Sequence, residues 1–94
     1  MKKKIVQESL DLEIKRREID QIDQKLLNLL NERIRLVSGA IAIKKKTGAK
    51  LRDLKREWEI IERLKSRNKG PLREADLTEV FRTIMKMGRR HSIP

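Results

Sequence analysis

Cysteine and tyrosine are missing from these 94 residues, and histidine, tryptophan and phenylalanine occur once each. Without cysteine there is no disulfide framework, no thiol nucleophile and no thiolate zinc site. A lone histidine, His91, leaves no paired-histidine metal ligation and a poor basis for Ser-His-Asp chemistry. No apolar run is long enough to span a bilayer, and the opening basic cluster Lys2-Lys3-Lys4 is not followed by the apolar stretch of a signal peptide. A soluble protein of the reducing cytoplasm is expected. Strand-like alternation, internal repeats and low-complexity tracts are also lacking, which leaves an all-α chain.

What is abundant is charge. Charged residues are 41% of the chain, and 25 Lys+Arg against 14 Asp+Glu give a formal charge of +11. Such a surplus attracts anions, whether nucleic acid, a membrane surface, an acidic partner or a small carboxylate or phosphate. With 37% hydrophobic and 2% aromatic residues, one chain has little core of its own.

Three helices are expected, long-short-short. Residues 1–8 read as a flexible basic leader to a single domain over 9–94. The first helix is expected from about Ser9 to Lys45, with Gly39 its one interior glycine and Gly48 its end signal. At the helical rise it would extend about 54 Å, against a diameter of about 30 Å for a globule of this size. Its stripe therefore needs a second chain, and a homodimer with paired long helices is expected. A second helix is expected from about Arg52 to Arg67, inner face Leu54, Glu57, Ile60, Ile61 and Leu64, with Trp58 as partial core. After the turn Asn68-Lys69-Gly70-Pro71, a third runs from about Arg73 to Arg89, inner face Leu77, Val80, Phe81, Ile84 and Gly88.

The apolar stripe of the first helix carries an anomaly. Ile19, Ile22, Leu26, Leu29, Leu30, Leu36, Val37, Ala40 and Ile41 follow a three-and-four spacing. At about 100° per residue, Arg33 and Lys44 fall within roughly 20° of the line through Leu26 and Val37. Burying unpaired cations is costly, so something anionic is expected between them. The second helix repeats the pattern, with Glu57 central on its stripe, Asp53 one turn earlier and Arg56 alongside. An internal ion pair such as Arg33–Glu57 would explain these charges blandly. A polar pocket inside a helical bundle explains three of them on two facing helices better. Such a pocket has cations for carboxylates, a lysine donor and a carboxylate acceptor, but no base, thiol, metal cluster or phosphate loop. It suits a reaction that needs positioning and charge stabilisation of a dianion, with no cofactor and no metal. A basic nucleic-acid-binding protein is the other reading of the +11 charge, but the basic residues are spread over all three helices without aromatic interleaving. A purely structural coiled coil would have no use for Arg33, Lys44 and Glu57.

The run Arg16-Arg17-Glu18-Ile19-Asp20-Gln21-Ile22-Asp23, continuing Leu26-Leu27-Asn28-Leu29-Leu30 to Arg33, resembles the opening of the all-helical chorismate mutases. The resemblance continues through Lys44, Gly48, Leu51-Arg52-Asp53 and Arg56-Glu57, and more weakly around Phe81. It implies an intertwined helical homodimer that converts chorismate to prephenate by an intramolecular Claisen rearrangement in aromatic amino-acid biosynthesis. By position, Arg33 and Arg16 would grip the two substrate carboxylates, and Lys44 the ether oxygen. Glu57, with Asp53 and Arg56, would hold the ring hydroxyl. Arg16 lies about 42 Å from Lys44 along a straight helix, so it would serve the partner's pocket.

The third helix departs from the family pattern. Its small residue falls on Gly88, and the usual Gln or Glu one turn later falls on Ser92. That implies a weakened donor to the ether oxygen. It also implies modest activity alone, raised by a partner that orders residues 86–94, as some short members resemble in being activated by the enzyme that begins the same pathway. An isochorismate-pyruvate lyase on the same fold is the nearest alternative activity.

Overall fold

In the computed structural model, residues 2–48 and 52–91 are described, and they form three helices: α1 over Lys2–Thr47, α2 over Leu54–Arg67 and α3 over Glu74–His91. The all-α expectation and the long-short-short order hold. The chain divides into two compact units, residues 1–31 and 32–94. The first holds the N-terminal part of α1. The second holds the rest of α1 with α2 and α3.

Helix α1 begins at Lys2 rather than near Ser9, so residues 2–8, expected as a leader, are helical. The early start goes against end effects, because the first turn contains no acidic residue and three lysines face the positive end of the dipole. Propensity outweighs that penalty: no proline interrupts Lys2–Thr47, and Leu, Ile, Lys, Arg, Glu and Gln dominate. Gln7–Asp11 and Gln24–Asn28 hydrogen bonds and the Lys15–Glu18 and Arg16–Glu13 ion pairs brace its surface. Each such pair contributes about 0.2–0.5 kcal/mol. The helix ends at Thr47, two residues past the expected Lys45 and just before the expected end signal, with three lysines in its last turn and Gly48 at φ +74°.

In the N-terminal unit Ile5, Leu12, Ile19 and Leu26 recur every seven residues, and all are half or more exposed. Ile22 and Leu29 beside them are likewise exposed. This stripe has the periodicity of a helix seam.

In the second unit the core consists of Ile41 from α1, Ile61 from α2, and Leu77 and Met85 from α3. Helices α2 and α3 pack on each other through the short turn at Asn68. Asn68 organises that turn, donating from Nδ2 to the Leu72 carbonyl at 2.7 Å and accepting the Gly70 N–H at 2.9 Å. Leu54, Trp58 and Val80 were expected inside, yet Leu54 and Trp58 are about two-thirds exposed (65% and 64%) and Val80 is 47% exposed. The apolar arc on α2 and α3 is broader than one neighbouring helix covers. Among the described residues no helix is long and apolar enough to cross a membrane.

Helix α2 starts at Leu54, two residues after the expected Arg52. Asp53 is its N-cap, and the Asp53 carboxylate accepts the Arg56 N–H at 3.0 Å. Replacing it removes the acceptor from an orphan N–H at the helix start. Asp53→Ala is therefore expected to lower the unfolding free energy by about 1 kcal/mol in a urea titration followed by circular dichroism, and Asp53→Asn to retain most of it.

Candidate active site

Arg33 and Lys44 of α1 line one cavity of about 140 Å³, with Val37, Ala40 and Ile41 between them. Both cations are half-buried. Their shared face follows from the helical period, which brings positions eleven apart back to nearly one line. Helix α2 and the residue pair before it contribute Arg52, Asp53, Arg56, Glu57 and Ile60, and α3 contributes Met85 and Arg89. The lining thus carries five cations, Arg33, Lys44, Arg52, Arg56 and Arg89, against two carboxylates, Asp53 and Glu57.

The two carboxylates are already engaged. Asp53 caps α2. Glu57, whose side chain is 19% exposed, receives Arg52 Nε on Oε2 at 3.4 Å and Arg89 Nη1 on Oε1. The internal pair Arg33–Glu57 expected as the bland alternative does not form, because Arg89 reaches Glu57 from α3. Among the described residues no carboxylate pairs with Arg33, Lys44 or Arg56. Burial first, and then the like charge of Arg56, push the Arg33 guanidinium below its usual value. A guanidinium nevertheless keeps its proton at neutral pH. The site therefore holds uncompensated positive charge, and an anion in the cavity would relieve it. Among the described residues no group of His, Asp or Glu is arranged to hold a metal ion.

Gly88 is buried and is not among the lining residues. It stands behind the site: a Cβ there would meet Val37 Cγ1 at 3.4 Å and Arg33 Nη1 at 3.6 Å. The position leaves room beside Val37 and the Arg33 guanidinium for a methyl group at ordinary contact distance. Arg16 belongs to the N-terminal unit, where it is exposed and pairs with Glu13 at 3.4 Å. Ser92 lies outside the described residues. Arg52 and Arg89 joined the site without having been singled out from the sequence. For Arg89 a signal existed, since Leu77, Phe81, Met85 and Arg89 form one i, i+4 row on α3. Leu77 and Met85 in that row are core.

Residues 15–93 match the chorismate mutase type II family. The chain is 41% identical over 70 residues to a bifunctional chorismate mutase/prephenate dehydratase of Neisseria gonorrhoeae (strain ATCC 700825 / FA 1090), covering 74% of this chain and 19% of that protein. It is 36% identical over 74 residues to a bifunctional chorismate mutase/prephenate dehydratase of Aquifex aeolicus (strain VF5), covering 74% of this chain and 20% of that protein. The chain spans about a fifth of the length of these curated relatives. An all-helical unit with a cation-lined cavity among its helices, matched over most of its length, places the chain in a defined class: it belongs to the chorismate mutase type II family.

The space behind Gly88 yields a packing test. A single methyl there makes ordinary contacts, and alanine is favoured over glycine inside a helix by about 0.5–1 kcal/mol. Gly88→Ala is expected to melt at or above the parent temperature. Gly88→Leu, which would displace Val37 and Arg33, is expected to lose about 1–3 kcal/mol, measured by thermal circular dichroism.

Proposed function

We propose that this chain catalyses the rearrangement of chorismate to prephenate, a step of aromatic amino-acid biosynthesis in the cytoplasm. The observation that carries the proposal is the pair Arg33 and Lys44, half-buried on one cavity without a carboxylate partner among the described residues. Family membership supports the same reading.

The reaction is intramolecular. The ether C–O bond breaks as the new C–C bond forms, and no proton or group leaves the molecule. The protein has only to hold the dianion in a compact conformer and to stabilise charge where it develops. Arg33 binds one carboxylate through its planar fork. Lys44, three turns along the same face, donates to the ether oxygen as negative charge grows there. Glu57 accepts from the ring hydroxyl, while Arg56 and Asp53 shape that end of the cavity. Asp53 has one oxygen on the Arg56 N–H, which ties the start of α2 to the site. Gly88 acts through the room it leaves beside Arg33. No cofactor or metal enters the scheme.

The working unit is a homodimer in which Arg16 serves the partner's cavity and grips the second carboxylate. The exposed seven-residue stripe of α1 and the exposed Leu54, Trp58 and Val80 support that assembly, since both surfaces are apolar and uncovered in one chain. Turnover by the isolated chain is modest, because Ser92 stands where the family carries a longer Gln or Glu, and an enzyme of the same pathway that docks on this chain raises it; residues 86–91, expected to need such a partner for their order, are already helical in α3.

Purified protein is expected to consume chorismate, followed by ultraviolet absorbance, with prephenate as the product. Release of pyruvate instead would assign a lyase. Lys44→Ala is expected to lower kcat by about 10²–10³ while helical signal stays at the parent level, as for loss of one donor to a developing oxyanion. A fully active Lys44→Ala variant would remove Lys44 from the mechanism.

A further inference from the structure

Arg89 has no place in the scheme above, yet it makes the contact that organises the acceptor end of the cavity. Its guanidinium reaches across from α3 to Glu57 on α2, thirty-two residues away in sequence, and the pair is part-buried, with side chains 28% and 19% exposed. Every other ion pair among the described residues joins side chains three to five positions apart. Arg89–Glu57 is thus the described ion pair that ties one helix to another.

The geometry fixes what this pair does to Glu57. Arg89 takes Oε1 and Arg52 takes Oε2, so each oxygen of the carboxylate has its own arginine. A carboxylate paired at both oxygens is restrained from rotating about its last bond. Each oxygen still has a second lone-pair direction available for a donor. The two arginines differ in how firmly they can hold. Arg52 is 59% exposed and at 3.4 Å, a geometry that solvent screens. Arg89 is half as exposed and sits on a helix whose preceding turn, at Met85, is core. Four residues, Arg52, Glu57, Met85 and Arg89, also line a larger cleft of about 550 Å³ bordered by α2 and α3. If Glu57 lost Arg89 it could turn toward that cleft, where Arg82 and Lys86 offer other cations.

From this we infer that Arg89 is a positioning residue for substrate binding: it holds the Glu57 carboxylate on the small cavity, ready to accept a hydroxyl from the substrate, and keeps it from swinging to the larger cleft. This inference rests on the proposed mutase reading, with Glu57 as the hydroxyl acceptor. The role needs a cation at the end of the Leu77–Phe81–Met85 row, and length matters less than charge.

The test compares steady-state chorismate turnover by the parent chain, Arg89→Met, Arg89→Lys, Glu57→Gln and the Arg89→Met/Glu57→Gln double variant. Circular dichroism follows the helical content of each. Arg89→Met is expected to raise KM by about tenfold, the scale of one charge-assisted hydrogen bond, with kcat changed far less. Arg89→Lys is expected to recover most of that loss. In the double variant the Arg89 change should add nothing to Glu57→Gln, because its effect passes through Glu57. Should Arg89→Met lose helical signal, Arg89→Gln, which keeps polarity without charge, is read in its place. An active parent with the uncharged Arg89 variant within twofold of it in KM overturns the inference alone. So does a loss that lysine does not recover, or one fully additive with Glu57→Gln. A parent chain that does not turn over chorismate overturns the mutase reading and this inference with it.

Discussion

The candidate site depends on half-buried positive charge that no carboxylate among the described residues pairs with. Arg33 and Lys44 face one cavity, and Arg56 adds a third uncompensated charge nearby. Placing cations on the inner face of a helix opposes folding, because desolvation disfavours the charged form. The lowered guanidinium of Arg33 records that opposition, with burial as its main cause. A fold that tolerates the penalty holds the binding free energy of an anion in reserve. In the proposed function, a dianion bound there would turn a local destabilisation into an attraction.

Several uncharged features make this tolerable. Ile41, Ile61, Leu77 and Met85 supply a small dry core next to the charges. Gly88 on α3 leaves space beside Val37 and Arg33. Asp53 fixes the first turn of α2, and with it the direction of Glu57 one turn on. The carboxylate of Glu57 is then held from both sides by Arg52 and Arg89. The site is therefore not a loose collection of charges. Its part-buried carboxylate is paired at both oxygens, while Arg33 and Lys44 have no carboxylate partner among the described residues.

Much of this was legible in the residues because helical period is a geometric quantity. The register of Arg33, Lys44 and Glu57 on apolar stripes follows from counting, and the cavity gathers the three as that register requires. Gly48 and the Asn68–Gly70 turn were readable for a different reason, since few residues other than glycine adopt positive φ. The start of α1 was not, because the end signals of Lys2–Lys4 and the propensity of the residues after them pull in opposite directions. Arg89 was missed because reading the inner face of α3 through Ile84 and Gly88 places it to one side. The row through Leu77, Phe81 and Met85 leads straight to it. Trp58 and Leu54 were assigned to an interior that the single chain does not provide. Periodicity tells which side of a helix is apolar, not which neighbour covers it.

The most direct measurement of the central claim watches the Arg33 side chain itself. In ¹⁵N-labelled protein, the Nε–Hε resonance of Arg33, assigned by comparison with Arg33→Lys, should shift and exchange more slowly with solvent when prephenate is added. The exposed Arg63 should remain unchanged. Equal small responses at Arg33 and Arg63, with no protection at Arg33, would mean that the anion meets only the general positive field of the surface. In that case the inward cations would not be its binding site.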